Sequence, residues 1–213
     1  MKILSSDLRS CGILKNSLAN HKPVIIPTDT NYNLACFPQD VQGIDAIFSY
    51  KERPKNKPLS LFFHNPKDWR KYGEVSDERL MTCLIENFWP GALNIVVKNK
   101  TNYSYMLNGS DSIALGCISN PTWRMLVNSL DSPIAITSAN ISGTADDLLI
   151  SEDVAVEHMG TKVEYMLKSQ TPIQSTKSST IISIVDGVRV LREGDITREQ
   201  IQLAISEWGY ELE

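Results

Sequence analysis

An α/β fold is predicted by two observations: short apolar runs rich in β-branched residues alternate with segments of helical periodicity, and proline and glycine fall at the joints between them. No repeat, linker or low-complexity tract divides the chain, so residues 1–213 read as a single domain. In chain order, Leu8, Cys11, Leu14 and Leu18 recur at helical spacing until Pro23 stops the pattern and Val24-Ile25-Ile26 begins a strand. A second helix follows Asp40, with Val41, Ile44 and Phe48 on one face, and ends before Arg53-Pro54 because a residue ahead of proline avoids the α region. Leu59 to Phe63 reads as a strand. Ser76 is placed to cap a third helix carrying Leu80, Leu84 and Phe88, closed by Trp89-Pro90-Gly91 before a strand from Leu93 to Val97. Ser112 to Cys117 is another strand, and Asn120-Pro121 opens a helix with Trp123, Leu126, Val127 and Leu130 inward. A strand from Ile134 to Thr137 runs into Ser138-Ala139-Asn140. Thr180 to Val185 and Val188 to Leu191 flank Asp186-Gly187, a dipeptide that suits a type I′ hairpin. Thr197 and Gln200 form a capping box for a last helix carrying Ile201 and Ile205.

Composition excludes several classes of function. A formal net charge of -4 does not call for a nucleic-acid or acidic-membrane partner, which would need a local basic patch. The four cysteines, Cys11, Cys36, Cys83 and Cys117, include no CxxC pair and read as reduced packing residues of a cytoplasmic protein. The start MKILSSDLRS lacks the features of a signal peptide, and no apolar run approaches membrane-spanning length. The three histidines, His21, His64 and His158, have no metal-ligand spacing and read as surface or loop residues. There is no GxxxxGK[ST] loop, GxGxxG turn or GxSxG elbow. What remains is three polar clusters, each expected to lie just after a strand: Thr28-Asp29-Thr30-Asn31-Tyr32, the run KERPKNKPL, and SANISG at Ser138 to Gly143. Ligand sites in open α/β sheets gather at strand ends, so clusters in such places are candidates for one site.

Those clusters carry a resemblance. PTDTNYNL resembles the PTDTxYGL motif of the YrdC family of threonylcarbamoyl-AMP synthases, KERPKNKPL its KxRPxxKPL, FWPGALNIVV its WPGPxT strand and SANISG its SANxSG. KSSTIISIVDGVRVLREGDI is similar to its PSTIVD segment followed by LRxG. The five motifs occur in the family's order over almost the whole chain. The resemblance implies a YrdC-like twisted mixed sheet with helices around a concave basic cavity. It also implies an L-threonylcarbamoyladenylate synthase, a nucleotidyltransferase that joins L-threonine, bicarbonate and ATP for threonylcarbamoyladenosine formation in tRNA. Partner proteins would complete the transfer, with tRNA contact weak or indirect, and Mg2+ would arrive with ATP, leaving no permanent metal site.

By the same resemblance Thr30, Ser138 and Ser179 are substrate-binding, and Lys51, Arg53, Lys57, Asn140 and Arg192 are nucleotide-binding. Side-chain cations suit this role, because ATP brings roughly four negative charges and no glycine-rich loop is present to meet them. Asp29 is expected to brace its turn and Tyr32 to pack beneath it, and no covalent nucleophile or catalytic residue is assigned. The departures are specific. Gly116 stands where the family has a substrate-holding arginine, Asn33 where it has glycine, Asn94 where it has threonine, and Phe62 where archaeal relatives have histidine. They raise an alternative reading, a non-catalytic nucleotide- or RNA-binding module. The threonine subsite is expected to be partly lost, with ATP still bound and threonine bound weakly, and Gly116→Arg is then expected to strengthen threonine binding if the backbone at Gly116 has negative φ.

Overall fold

Val24–Pro27 and Tyr32–Cys36 are buried at every position, so both faces of the sheet they belong to must be covered. The computed structural model, which describes residues 1–54, 56–144 and 149–213, supplies the covering helices. Among these residues, the first half of the chain forms β1 (Lys2–Leu4), α1 (Leu8–Ala19), β2 (Val24–Pro27), β3 (Tyr32–Cys36), α2 (Val41–Lys51), β4 (Ser60–Phe62), α3 (Trp69–Tyr72), β5 (Gly73–Glu74), α4 (Glu78–Phe88) and β6 (Leu93–Asn99). The second half forms α5 (Ser104–Leu107), β7 (Ser112–Gly116), α6 (Pro121–Leu130), β8 (Ile134–Ser138), α7 (Glu152–Met159), β9 (Tyr165–Leu167), β10 (Thr180–Ser183), β11 (Arg189–Arg192) and α8 (Arg198–Ser206).

The strands make one mixed sheet in the order β1-β9-β2-β3-β8-β4-β7-β6-β10-β11, with β5 also paired to β6. Alternate residues along a strand face opposite sides. Ile25, Leu34 and Cys36 therefore join one core with Ile44 and Ile47 of α2, Met81 and Leu84 of α4, and Ile201 and Ile205 of α8. Val24, Ile26 and Ala35 join the other, with Leu14 and Leu18 of α1 and Trp123 and Leu126 of α6. Each fully buried aliphatic or aromatic side chain contributes roughly 1.5 to 3 kcal/mol, so both layers are needed to hold the sheet. The cysteines are free and buried, as expected.

Four expectations need correction or addition. The cap of α4 is Asp77, whose carboxylate accepts from the N–H groups of Arg79 (2.8 Å) and Leu80 (3.4 Å), and Ser76 stays exposed one residue outside. Asp186-Gly187 is not a two-residue hairpin turn: Ser183 pairs with Arg189, so the loop runs through five residues, with a register shift between Ile181 and Ile182. His158 lies in a helix, α7, where Nδ1 accepts the N–H of Ile141 at 3.2 Å. Strand β3 was not foreseen because it is covered on both faces and lacks the alternation of a half-exposed strand. The capping box at α8 is present in both arms: Thr197 accepts from the N–H of Gln200 (3.3 Å), and the Gln200 side chain accepts from the N–H of Thr197 (2.8 Å). Thr197→Ala should therefore lower unfolding stability by about 1 kcal/mol, read as a lower denaturant midpoint at constant slope. An unchanged midpoint would show that packing alone fixes the start of α8.

Candidate substrate cavity

The turn between β2 and β3 is built from its own hydroxyls and amides. Thr28 Oγ1 donates to the carbonyl of Asn31 (2.8 Å), and Asn33 Nδ2 donates to Thr28 Oγ1 (3.1 Å) and to the same carbonyl (3.0 Å). Asp29 points out of this turn as a tether. Its carboxylate accepts from Ser119 N–H (3.0 Å), Ser119 Oγ (2.7 Å) and Asn120 N–H (2.7 Å), holding the segment between β7 and α6. Tyr32 packs beneath at 4% exposure, donates to Glu152 Oε2 (3.2 Å) and accepts from Ser169 N–H (3.2 Å). Burial is the main cause that pushes its phenol up to about 12.

With the turn fixed, Thr30 reaches across to the lead-in of β10. Its Oγ1 lies 2.9 Å from Ser179 Oγ, and Asn31 Nδ2 donates to Ser178 Oγ at 3.1 Å. Between β3 and β10 stand β8, β4, β7 and β6, so this contact closes a twisted sheet over its own concave face. The resulting cavity, open on one side, is about 370 Å³, within the usual range for small-molecule sites. It brings together Thr30, Arg53, Lys57, Ser138, Ser179 and Arg192, six of the eight residues singled out above.

Backbone carbonyls orient the arginines. Arg53 donates from Nε to the carbonyl of Lys57 and from Nη2 to that of Pro58, both at 2.9 Å, shaping the loop ahead of β4. Arg192 donates from Nε (3.0 Å) and Nη2 (2.8 Å) to the carbonyl of Ser179, which ties β11 to the closing hydroxyl. Desolvation draws its pKa downward, yet a guanidinium keeps its charge. Gly194 is required just beyond, since a Cβ there would lie 2.1 Å from the carbonyl oxygen of Ser178.

Lys51 and Asn140 do not line the cavity. Each is 1% exposed. Lys51 Nζ donates to the carbonyls of Ser138 (2.5 Å) and Asn140 (2.6 Å) and to Asn140 Oδ1 (3.2 Å), so the ammonium brackets the SAN turn from behind. Ser138 Oγ donates to Asn140 Oδ1 at 2.6 Å, which places the serine on the wall and the asparagine behind it. Lys55 lies outside the described residues. Sequence reasoning missed Phe62, Asn33 and Asn94 as parts of this wall, having noted them only as departures from a motif.

The expectation for Gly116→Arg also needs correction. The backbone there is not left-handed, but a Cβ would sit 2.6 to 2.9 Å from three carbons of the Phe62 ring. The ring, 3% exposed and edge-on to Trp123, already occupies the space. An arginine cannot enter unless Phe62 moves.

The Lys51 bracket generates a prediction. Lys51→Met should destabilise the fold by roughly 1 to 3 kcal/mol, because the buried carbonyl of Asn140 and the partly buried one of Ser138 lose their donor, with the change read from chemical unfolding. Stability equal to that of the native chain would show that the ammonium is not what holds Ser138 in place.

Comparison with known proteins gives this geometry a family. The family model described as telomere recombination, covering the Sua5, YciO and YrdC proteins, matches residues 16–194. The chain is 31% identical over 189 residues to a Methanocaldococcus jannaschii protein provisionally named a threonylcarbamoyl-AMP synthase, covering 88% of this chain and 87% of the relative. It is 29% identical over 180 residues to the threonylcarbamoyl-AMP synthase of Pseudoalteromonas translucida, covering 82% and 95%. Among solved structures, P. abyssi Sua5 complexed with L-threonine superposes with a TM-score of 0.87 at 24% identity, over 100% of this chain and 63% of that one. The chain thus spans less than two thirds of that protein's length and shares its fold. With a family model matched over most of its length and a relative above 30% identity, the chain belongs to the Sua5/YciO/YrdC family, that of the threonylcarbamoyl-AMP synthases.

Proposed function

We propose that the chain, acting as a single domain, makes threonylcarbamoyl-AMP and pyrophosphate from L-threonine, bicarbonate and ATP, the activated intermediate for tRNA threonylcarbamoyladenosine. The observation that carries this reading is the meeting of three cations, Arg53, Lys57 and Arg192, with the hydroxyls of Thr30, Ser138 and Ser179 in one cavity. The cations suit the triphosphate of ATP, which brings its own Mg2+, and the hydroxyls suit the amino acid. Threonine's amine adds to bicarbonate to give a carbamate with loss of water. A carbamate oxygen then attacks the α-phosphorus, and pyrophosphate leaves toward the basic side chains. The contribution of the protein is orientation and charge neutralisation, with no covalent step on a side chain. Lys51 and Asn140 serve as positioning residues, because they set the SAN turn without facing the cavity. Product is passed to partner proteins, with little direct tRNA contact.

A second reading has its own observation. Phe62 fills the space above Gly116, so position 116 supplies no cation to the cavity, which would suit a nucleotide-binding module without synthase chemistry. Incubation with ATP, threonine and bicarbonate separates the two. Threonine-dependent release of pyrophosphate is the expected result, and ATP binding without release would establish the module. Arg53→Ala should weaken ATP binding by about tenfold or more in calorimetry, through loss of both a charge-assisted contact and the loop's own bonds, and Lys55→Ala should do so less. Equal small losses for the two would mean that the run is a solvated face.

A further inference from the structure

Asn33 and Ser138 stand opposite each other in the ladder between β3 and β8. Tyr32 and Leu34, on either side of Asn33, belong to the core on the far face of the sheet, whereas Ile136, two residues before Ser138, belongs to the near one. By the alternation of a strand, both side chains therefore rise from the concave face, and both line the cavity. Side chains paired in this way start about 5 Å apart at Cβ. Asn33 is a feature of this chain, since the motif it resembles has glycine there.

The amide of Asn33 fits only one way round. Its Nδ2 faces Thr28 Oγ1 (3.1 Å) and the carbonyl of Asn31 (3.0 Å). Thr28 Oγ1 gives its own proton to that carbonyl (2.8 Å), so both groups are acceptors toward Asn33 and would repel its oxygen. Oδ1 is thereby directed away from the turn. It accepts no bond from the described residues and, unlike Asn94 Oδ1, is not shut away from solvent, so it is an open acceptor on the cavity wall. Ser138 presents an acceptor as well, because its proton goes to Asn140 Oδ1 at 2.6 Å. A phosphate or carboxylate brought to this pair would set oxygen against oxygen. An amino group would meet an acceptor for each of two N–H donors.

We infer that Asn33 is a specificity-determining residue: with Ser138 it receives an amino group of the bound ligand and makes binding depend on that group. The inference rests on the synthase reading, on which two groups answer the description, the exocyclic amine of adenine and the amine of threonine. Calorimetry on the full chain tells them apart. One comparison sets a non-hydrolysable ATP analogue against its inosine counterpart, in which a carbonyl replaces the amine. The other, with the ATP analogue present, sets L-threonine against its deaminated analogue, in which hydrogen replaces the amine. The native chain should favour the amino-bearing member of one pair by roughly tenfold or more, and in Asn33→Ala that preference should fall to about threefold or less. Asn33→Gly, which installs the residue of the motif, should do the same. Ser138→Ala removes the other acceptor and no bond of the turn between β2 and β3, and should lower the same ratio. If Asn33 only held the turn, its loss would weaken both members of a pair alike and leave their ratio unchanged.

The pair whose ratio collapses identifies the amino group. A native chain that favours neither amino-bearing member overturns the inference while leaving the nucleotide site standing, and so does a preference that survives in the Asn33 variants. Failure of the nucleotide analogues to bind at all is a different result: it removes the synthase reading and the inference with it.

Discussion

A hydrogen bond between the hydroxyls of Thr30 and Ser179, 2.9 Å long and spanning 149 residues of sequence, is the contact on which the site depends. Neither hydroxyl is needed by the two hydrophobic cores, which are complete on either side of the sheet without them. The bond joins the turn after β2 to the lead-in of β10, and the concave floor between them becomes a cavity rather than an open surface. Sheet twist alone would bring these corners near each other. The hydroxyl pair and its neighbour, Asn31 to Ser178, fix the distance.

The polar groups around that contact divide into those that face the cavity and those that hold them there. Asp29, a carboxylate in the most conspicuous motif, has three donors from Ser119 and Asn120 and works as a tether between strand ends. Lys51 spends its ammonium on the carbonyls behind Ser138. The guanidiniums of Arg53 and Arg192 each take two bonds to main-chain carbonyls, so loss of either would alter a loop as well as a charge. Positive charge is thereby gathered at one cavity in a chain of net charge -4.

The legible parts of the sequence were those governed by local rules. Asn120 and Pro121 opened α6 as the cap and first-turn preferences require, and both arms of the Thr197 box formed. The cap of α4 failed by one residue because Ser76 and Asp77 are both good caps, and only packing chooses between them. All eight candidate residues were grouped by motif resemblance and six of them line one cavity, yet no local signal distinguishes a lysine facing a cavity from one turned behind a loop. Lys51 is therefore visible in sequence and its position is not. The same holds for Gly116. Its missing side chain can be read directly, whereas the ring that occupies the space comes from Phe62 on the neighbouring strand and is found only when the register is known.

The proposal stands or falls on whether this cavity, and no other concavity among the described residues, is where the nucleotide reacts. A crystal structure of the chain with a non-hydrolysable ATP analogue, Mg2+ and L-threonine tests it most directly. The account predicts phosphate oxygens within hydrogen-bonding distance of Arg53, Lys57 or Arg192, and the amino acid beside the Thr30–Ser179 pair. Nucleotide density outside the cavity, or inside it with the phosphates turned away from all three cations, would contradict it.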